Sequence, residues 1–352
     1  MDLTPFLELL RDKRGSDLFF SAGSPVRIRI EGQMSTVGTQ VLNGAQTLAA
    51  AYGLMTQPQM DRFERMLECD FAVALADGSA RFRVNVFRQR GEVSLVLRLV
   101  PAKIPTIEDF GLPEILKSLA MHKRGLILMA GATGSGKSTT LAAMLNERNQ
   151  RGSGHILTIE DPIEFSHPNL RCIVNQREIG VDTLSFRAAL RASLREAPDV
   201  VLIGEIRDRE TMEAALELCN TGHLCLSTVH ANNANQALER LINLYPQELH
   251  RQLLLDLSLN MRAVIGQRLV RGVEGLRVAA IEILISSPYI AELILAGDLH
   301  GVKEAMASSG TPGMQTFDDA LLALYREGRV SLEEALSNAD SRTNLEARIN
   351  FS

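Results

Sequence analysis

A glycine-rich run near the middle of the chain constrains the fold more than any other feature. Residues 131–138 read GATGSGKS and match the pattern G-x-x-x-x-G-K-S/T. The apolar run at 125–130 predicts a buried strand, and the residues from Thr139 onward predict a helix. In this setting the glycines let backbone N–H groups converge on phosphates at a helix N-terminus. The sequence therefore predicts a P-loop that binds a nucleoside triphosphate.

The residues of this loop have predicted roles toward ATP and Mg²⁺. Lys137 is expected to reach the β- and γ-phosphates, and the Ser138 hydroxyl is expected to ligate Mg²⁺. The alternative is a glycine-rich loop that only opens a helix, and the complete motif between a strand and a helix disfavours it. The predicted phosphate-binding set is Gly131, Thr133, Gly134, Ser135, Gly136, Lys137, Ser138 and Thr139.

Length and composition limit the class of protein. The 352 residues exceed the size at which one hydrophobic core stops growing, so at least two domains are expected. The chain has no apolar run of 18 residues and no secretory signal, so neither a membrane span nor export is predicted. Four cysteines without a C-x-x-C pair fit a reducing cytosol and argue against zinc. A net charge of −5 and a pI near 5.9 weigh against a nucleic-acid motor.

Pattern changes along the chain divide it into four parts. Residues 1–100 predict a small α+β domain with strands at 16–20, 26–30, 70–76, 80–88 and 92–100, and 101–113 contain three prolines and predict a linker. Residues 114–287 alternate apolar strands with amphipathic helices, which favours a largely parallel sheet covered on both faces. Residues 288–352 predict a helical tail, with Ser331 as the N-cap of its helix at 331–337. The predicted strands of the third part are 125–130, 155–160, 199–204, 223–228 and 278–285, and its predicted helices are 137–149, 185–196, 208–220, 234–243 and 248–268.

A second nucleotide motif follows the P-loop in sequence. Asp199 opens an apolar run that ends at Gly204 and Glu205. Most P-loop ATPases place an aspartate at the end of this strand to help hold Mg²⁺, and here Gly204 occupies that place. Glu205 is predicted to contact the Mg²⁺ hydration shell or to polarise the attacking water. The alternative is a solvated glutamate that merely follows a core strand.

Two further clusters lie at predicted strand ends. Glu160, Asp161 and Glu164 put three carboxylates within five residues, which is electrostatically costly unless a cation shares the site. An acidic surface turn is the alternative. His223 and His230 flank another strand, and their spacing places them on opposite sides, so a shared metal is not expected. One of them is predicted to sense the γ-phosphate, with a structural role equally open for either.

Taken together, these motifs resemble the secretion ATPase superfamily, the hexameric motors of type II secretion and type IV pili. The four marks of that family occur in order: the P-loop, an acidic box at 158–165, a Walker B motif at 202–208 with glycine before glutamate, and a histidine box at 221–230. The resemblance implies an α/β fold with a RecA-like ATPase core. It also implies a smaller N-terminal PAS-like α+β domain, marked by the strand at 81–85, and a helical C-terminal tail.

Within this superfamily the chain resembles the retraction branch, the PilT/PilU family, and it looks most similar to PilU-type motors. Ala197 stands where PilT-like chains usually have aspartate, and the run at 230–237 is PilU-like. PilT carries a C-terminal A-I-R-N-L-I-R segment that retraction requires. The corresponding residues here, 289–297, read YIAELILAG. This departure implies an accessory motor that works with a PilT-type partner.

The resemblance also assigns roles to residues outside the P-loop. Glu164 and Glu205 are the two candidate water activators, and the sequence does not choose between them. His230 is expected to contact the γ-phosphate. Arg83 and Arg98 of the N-terminal domain match the arginines that close over the nucleotide, and Arg81 is expected to assist them. Without the resemblance, the arginines predict only a solvated strand face.

The family implies a homohexamer in the cytoplasm, peripheral to the inner membrane. Its expected partners are a PilT-type ATPase and an inner-membrane pilus platform protein, without nucleic acid and without direct membrane insertion. Three alternatives stay open: a type II secretion or DNA-uptake motor, a nucleic-acid translocase with the same core, and a nucleotide-gated scaffold with negligible hydrolysis.

Overall fold

The computed structural model describes residues 1–30, 32–101 and 104–350. Contacts within the chain divide it into two compact units. The first comprises Met1–Lys103 and Glu164–Ser166, and the second comprises Ile104–Ile163 and His167–Ser352. Two residues of the predicted linker at 101–113 lie outside the described part of the chain. The predicted domain limits at 100, 113 and 287 stay predictions.

The first unit is built on one antiparallel sheet. In chain order the elements are α1 (Thr4–Asp12), β1 (Asp17–Ser21), β2 (Pro25–Ile30), β3 (Gln33–Val41), α2 (Gly44–Leu54), α3 (Gln57–Met66), β4 (Glu68–Ala74), β5 (Arg81–Gln89) and β6 (Glu92–Val100). The strands lie in the order β3-β2-β1-β6-β5-β4. Buried apolar side chains that alternate along these strands form the core of the unit.

Alternation explains which strands of this unit could be predicted. Along β5 the side chains of Phe82, Val84 and Val86 are buried and the residues between them are half-buried. Strand β3 escaped prediction because it is exposed over nearly its whole length and therefore carries no apolar alternation.

The second unit is built on a seven-stranded sheet with helices on both faces. Its elements begin with α4 (Ile115–Ala120), β7 (Gly125–Ala130), α5 (Lys137–Arg151), β8 (Gly154–Glu160), β9 (Cys172–Glu178), α6 (Phe186–Ser193), β10 (Val200–Ile203), α7 (Arg209–Asn220) and β11 (Leu224–Val229). They continue with α8 (Ala234–Asn243), α9 (His250–Asn260), β12 (Met261–Arg271), β13 (Arg277–Ile285), α10 (Pro288–Ala296), α11 (Leu299–Ser308), α12 (Phe317–Arg326), α13 (Leu332–Asn338) and α14 (Arg342–Asn350).

The strand order of this sheet is β13-β12-β7-β11-β10-β8-β9. All neighbouring strands are parallel except β12 and β13, which pair antiparallel. One face packs on a core that contains residues of α5, and the opposite face packs on a core that contains residues of α7, α8 and α9. The α/β class that the alternation predicted is therefore confirmed.

The predicted helix 248–268 is wrong over its second half. Helix α9 ends at Asn260, and the chain continues directly into β12. Strand β12 is buried on both faces through Ala263–Gln267, so its apolar residues run on without the alternation that identifies a half-buried strand. The edge strand β9 was also not predicted.

The C-terminal helices follow the predicted pattern, with α14 as an addition. Ser331 caps α13, since its side chain accepts a hydrogen bond from the backbone N–H of Glu334, as predicted. Among the described residues, none of the helices combines the length and the apolar character that a membrane crossing requires.

Parallel pairing decides where the candidate site lies. Strands β7, β11, β10 and β8 all point the same way, so their carboxyl ends meet at one edge of the sheet. The P-loop, Glu205 and His230 follow three of these strands in the chain. The fold therefore brings these three motifs to the same edge within the second unit, together with Glu160 of the acidic box, which ends β8.

Candidate functional site

The P-loop connects β7 to α5 in a conformation that only glycine adopts easily. Gly134 and Gly136 have φ of +78° and +87°, and Gly131 has φ of +159°. A Cβ atom on Gly131 would lie 2.4 Å from Ser135 Oγ, and one on Gly136 would lie 2.7 Å from Gln267 Nε2. These glycines are therefore required by the backbone path and by the neighbours that the loop contacts.

Helix α5 begins differently from the other helices that follow strands of this sheet. Helices α6, α7 and α8 are capped by the side chains of Ser185, Asp208 and Asn233, each of which accepts a backbone N–H of the first turn. In α5 the N-cap is Gly136, and no side chain caps it. Its first N–H groups therefore lack a side-chain acceptor within the described residues, and they are available to an anionic ligand.

Lys137 is folded back into the loop. Its Nζ donates to Gly131 O at 2.6 Å and to Ala132 O at 2.9 Å, and the residue is 8% exposed. Burial lowers the pKa of Lys137, and the nearby Glu205 carboxylate acts in the opposite direction. A lysine held this way can exchange two carbonyl oxygens for phosphate oxygens without leaving the loop.

The other P-loop residues differ in their exposure. Ser138 is exposed at the start of α5, Thr133 is exposed in the loop, and Thr139 is half-buried. Ser135 Oγ is buried and has no hydrogen-bond partner among the described residues. A buried hydroxyl without a partner beside converging N–H groups fits a site for phosphate and its metal ion, because such a ligand would supply the missing acceptor.

The Walker B strand and the histidine box meet at Glu205. Glu205 Oε1 lies 3.0 Å from His230 Nε2, and Arg207 Nε donates to Glu205 Oε2 at 2.7 Å. The Glu205 side chain is 13% exposed. Of the two histidines, His223 is structural, because its Nδ1 lies 2.9 Å from Leu218 O. The structure thus brings the predicted Glu205 and His230 together, although the sequence did not pair them.

Gly204 fits a narrow space next to Glu205. A Cβ atom there would lie 3.3 Å from Ile159 O and 3.4 Å from Glu160 Cα, and Thr228 Oγ1 donates to Gly204 O at 2.7 Å. The neighbouring strand backbone on β8 therefore leaves little room for the aspartate that commonly ends this strand.

The acidic box is divided in the structure. Glu160 is 8% exposed at the end of β8, where it accepts a hydrogen bond from Thr158 Oγ1 at 2.6 Å. Asp161 and Glu164 are exposed. Glu164 belongs to the short segment that groups with the first unit, so its role as a water activator stays a prediction.

The candidate arginines lie on neighbouring strands of the first unit. Arg83 on β5 and Arg98 on β6 are directly opposite each other, and Arg98 is opposite Asp17 on β1. Arg98 Nε donates to Asp17 Oδ1 at 2.8 Å, and Arg29 also contacts this buried carboxylate. Arg81 begins β5, opposite Val100. Directly opposed arginines repel, and this arrangement is favourable where an anion neutralises them.

A cavity opens beside the P-loop, and no sequence motif indicated it. Its volume is about 880 Å³, and it reaches from Gly136 and Thr139 to the turn between β12 and β13. Its other lining residues include Phe110, Leu269, Leu276, Val278 and Arg329. They come from segments far apart in the chain, which is why no motif revealed them. The lining also includes Arg277 and the carboxylates of Glu108, Asp109, Glu274 and Glu327. The apolar part of this cavity adjoins a phosphate loop and suits an aromatic base.

The P-loop, the uncapped α5 and the Glu205–His230 contact define a P-loop ATPase of the α/β class. The family model for the type II/IV secretion system protein matches residues 3–284. The chain is 49% identical to the type IV pilus ATPase PilU of Pseudomonas aeruginosa over 99% of this chain and 91% of PilU. It is 42% identical to the retraction ATPase PilT of the same organism over 96% of this chain and 98% of PilT.

A solved structure gives the same result for the fold. The crystal structure of the pilus retraction motor PilT with bound ADP superposes with a TM-score of 0.91 at 39% identity, covering 99% of each chain. The chain therefore belongs to the type II/IV secretion system protein family and, within it, to the PilT/PilU family of ATPases. The predicted family, ATPase activity and RecA-like core are confirmed.

Proposed function

We propose that the chain is an ATP-hydrolysing motor of the type IV pilus machinery that supports pilus retraction and twitching motility. The observation that carries this proposal is the identity of 49% to PilU across 99% of the chain, with every hydrolysis motif retained. Relatives described as a retraction ATPase and as a twitching motility protein support the same machinery.

Nucleotide binding rests on the P-loop and the cavity beside it. The N-terminal turn of α5 and Lys137 hold the phosphates, and the cavity lined by Phe110 and Leu276 takes the base. Ser138 would hold Mg²⁺ together with the phosphates, and the ion would supply charge neutralisation there. The buried, unpaired hydroxyl of Ser135 and the glycine conformations support this assignment.

Glu205 is the proposed water activator of the second unit, with Glu164 as the other candidate. In the structure both carboxylate oxygens of Glu205 are engaged, one by His230 and one by Arg207. An anionic γ-phosphate beside Lys137 competes with Glu205 for these two donors. Once a donor turns to the phosphate, a carboxylate oxygen is free to accept a proton from the attacking water.

Conservative variants test this division of roles. Glu205→Gln and Glu164→Gln should each lower kcat by about 10²-fold and leave ATP affinity nearly unchanged, because a water activator acts mainly in the transition state. Glu239→Gln makes the same change on an exposed residue of α8 and serves as the control. A variant that fails to bind ATP would identify its carboxylate as a ground-state ligand instead.

Arg83 and Arg98 are proposed to offset charge on the γ-phosphoryl group, with Arg81 assisting. Arg83→Ala should lower kcat without unfolding the protein. Arg98→Ala also leaves the buried Asp17 with Arg29 as its remaining arginine, so circular dichroism must confirm that this variant folds. Wild-type turnover in both folded variants would exclude the role.

The assembly is proposed to be a homohexamer in the cytoplasm at the inner membrane, acting on a platform protein without nucleic acid. Light scattering with and without a slowly hydrolysed ATP analogue tests the hexamer, and a monomer at micromolar concentration in both conditions would contradict it. ATPase activity stimulated by DNA would favour a translocase instead.

The proposed motor assists a PilT-type partner and does not retract pili by itself. Helix α10, which occupies the place of the retraction segment of PilT, exposes Tyr289 and Leu295 while Ile290 and Ile294 are buried. A strain that expresses this protein but lacks the PilT-type motor should make pili that do not retract. Normal retraction in that strain would make the chain a self-sufficient motor.

A further inference from the structure

The segment that joins β11 to α8 is held at both ends. It begins at His230, which contacts Glu205, and it ends at Asn233, whose side chain caps α8. Two side chains from the antiparallel strands β12 and β13 bind its far end. Glu282 Oε2 accepts the backbone N–H of Ala234 at 2.6 Å, and Arg268 Nη2 donates to Asn232 O at 3.4 Å.

Glu282 is an unusual residue for this position, because it is a carboxylate on a buried strand and is 6% exposed. Gly266 lies directly opposite on β12, and a Cβ atom there would come within 2.9 Å of Glu282 Oε2. Capping alone does not require a buried acid, since the neutral Asn233 already caps the same helix. The space left by Gly266 therefore accommodates a carboxylate that, among the described residues, has one backbone hydrogen-bond partner, Ala234 at the end of the segment that carries His230.

Arg268 connects the same segment to the helical C-terminal region. Besides Asn232, its guanidinium donates to Asn338 O at 2.8 Å and to Asp340 Oδ1 at 2.6 Å. The guanidinium carbon also lies 3.9 Å from the ring centroid of Phe317. One side chain thus bonds the segment after His230 and the junction between α13 and α14.

We propose that Glu282 and Arg268 are positioning residues for ATP hydrolysis, which fix the segment 230–234 so that His230 stays on Glu205. This inference rests on the proposed catalytic roles of Glu205 and His230. Because Arg268 also holds Asp340, the C-terminal helices contribute to the position of His230. Neither positioning residue has to touch the nucleotide for this effect.

The charged groups around Glu282 come from several elements. Burial has the largest effect on the pKa of Glu282 and raises it, whereas the hydrogen bond from Ala234 N–H lowers it. Asp340 raises this pKa and Arg268 and Lys303 lower it, so that the pKa is raised to about 7. A cavity of about 660 Å³ lies on this side of the unit. Its charged lining is Glu282, Lys303, Asp318, Asp319, Asp340 and Arg348.

The test is a double-mutant cycle on the full-length ATPase. Glu282→Ala should lower kcat about 10-fold and leave KM for ATP within about twofold, because the hydrogen bond positions a group that acts in the transition state. In a His230→Ala background, the same change should cost less than about twofold, since the residue through which Glu282 acts is already gone. Glu282→Gln keeps an acceptor for Ala234 N–H and should recover most of kcat.

Arg348→Ala provides the matched control, because it removes a charged contact on the same cavity, with Asp319 at 2.6 Å, and leaves Glu282 and Arg268 in place. It should leave kcat unchanged. Equal losses from Glu282→Ala in both backgrounds, or a glutamine variant as impaired as alanine, would overturn the inference.

The outcomes separate this inference from the proposed function. If Glu205→Gln and His230→Ala retain wild-type turnover, the catalytic assignment fails, and the inference fails with it. If those two variants lose turnover while folded Glu282→Ala does not, the inference alone fails. Circular dichroism on every variant identifies a loss caused by unfolding. If the alanine variant does not fold, Glu282→Leu replaces it in the cycle, because leucine fills the space but offers no acceptor to Ala234 N–H.

Discussion

Replacing Glu282 with glutamine should stabilise the protein, and the gain should depend on pH. The carboxyl is buried on β13, and burial raises its pKa from the ordinary value of 4.5 to about 7. Glutamine has nearly the same shape and keeps an acceptor for Ala234 N–H, but it cannot ionise. The comparison therefore isolates the free energy by which the buried negative charge destabilises the folded state.

The magnitude follows from the difference between the folded and unfolded pKa values. At about 1.36 kcal/mol per pKa unit, ionised Glu282 destabilises the folded state by about 3 kcal/mol. Because the folded pKa is the higher one, the stability of the protein with neutral Glu282 is fully present below about pH 4.5. This stability is lost as pH rises through about 7, where the buried carboxyl ionises. The glutamine variant should match the wild type below about pH 4, exceed it only slightly near pH 5, and exceed it by nearly the full amount at pH 8.

Differential scanning calorimetry can measure this effect. The chain contains no tryptophan, so indole fluorescence is not available as a probe of unfolding. For a unit of this size, about 3 kcal/mol corresponds to a Tm higher by roughly 6–12 °C at pH 8. Glu346→Gln changes an exposed carboxylate of α14 in the same way and should have no such effect. A Tm difference that is the same at pH 5 and pH 8 would refute the reasoning.

Three further substitutions test local features. Gly136→Ala should weaken ATP binding at least about 10-fold, because φ is +87° and the new Cβ would meet Gln267 at 2.7 Å; isothermal titration measures this. Ser227→Ala should leave stability unchanged or raise it by about 1 kcal/mol in urea unfolding, because its buried hydroxyl has no partner among the described residues. Ala197→Gly should add about 0.5–1 kcal/mol in the same assay, since Ala197 has φ of +48°.

The sequence predicted those helices and strands that are buried on one side only, or that begin at a recognisable capping residue. Helix α13 was predicted from its spacing and its cap at Ser331, and strand β5 from alternation around Phe82. Strand β12 was missed because both of its faces are buried, and β3 because neither face is. The spacing of apolar residues identifies a helix or a strand only when one side of the element is buried and the other side faces water.

The same limit explains which site residues could be predicted. Lys137 and the P-loop glycines belong to one short segment, so spacing alone identifies them. Glu205 and His230 could be expected at one sheet edge, but their contact depends on strand order, which sequence does not fix. Gln267, Arg268 and Glu282 lie on β12 and β13, and their place next to the site follows only from the pairing of β12 with β7.

The residues that act on ATP and the residues that position them lie on different strands of the sheet. The P-loop, Glu205 and His230 follow parallel strands, whereas Arg268 and Glu282 come from the antiparallel strands β12 and β13, which the chain reaches after the last motif. A substitution on β12 or β13 can therefore change how His230 is held without altering a motif residue. Because sites on one fold can change independently, retained motifs imply hydrolysis but do not imply how hydrolysis is coupled to movement. That separation is the structural reason for expecting a motor with intact ATPase motifs to depend on a partner.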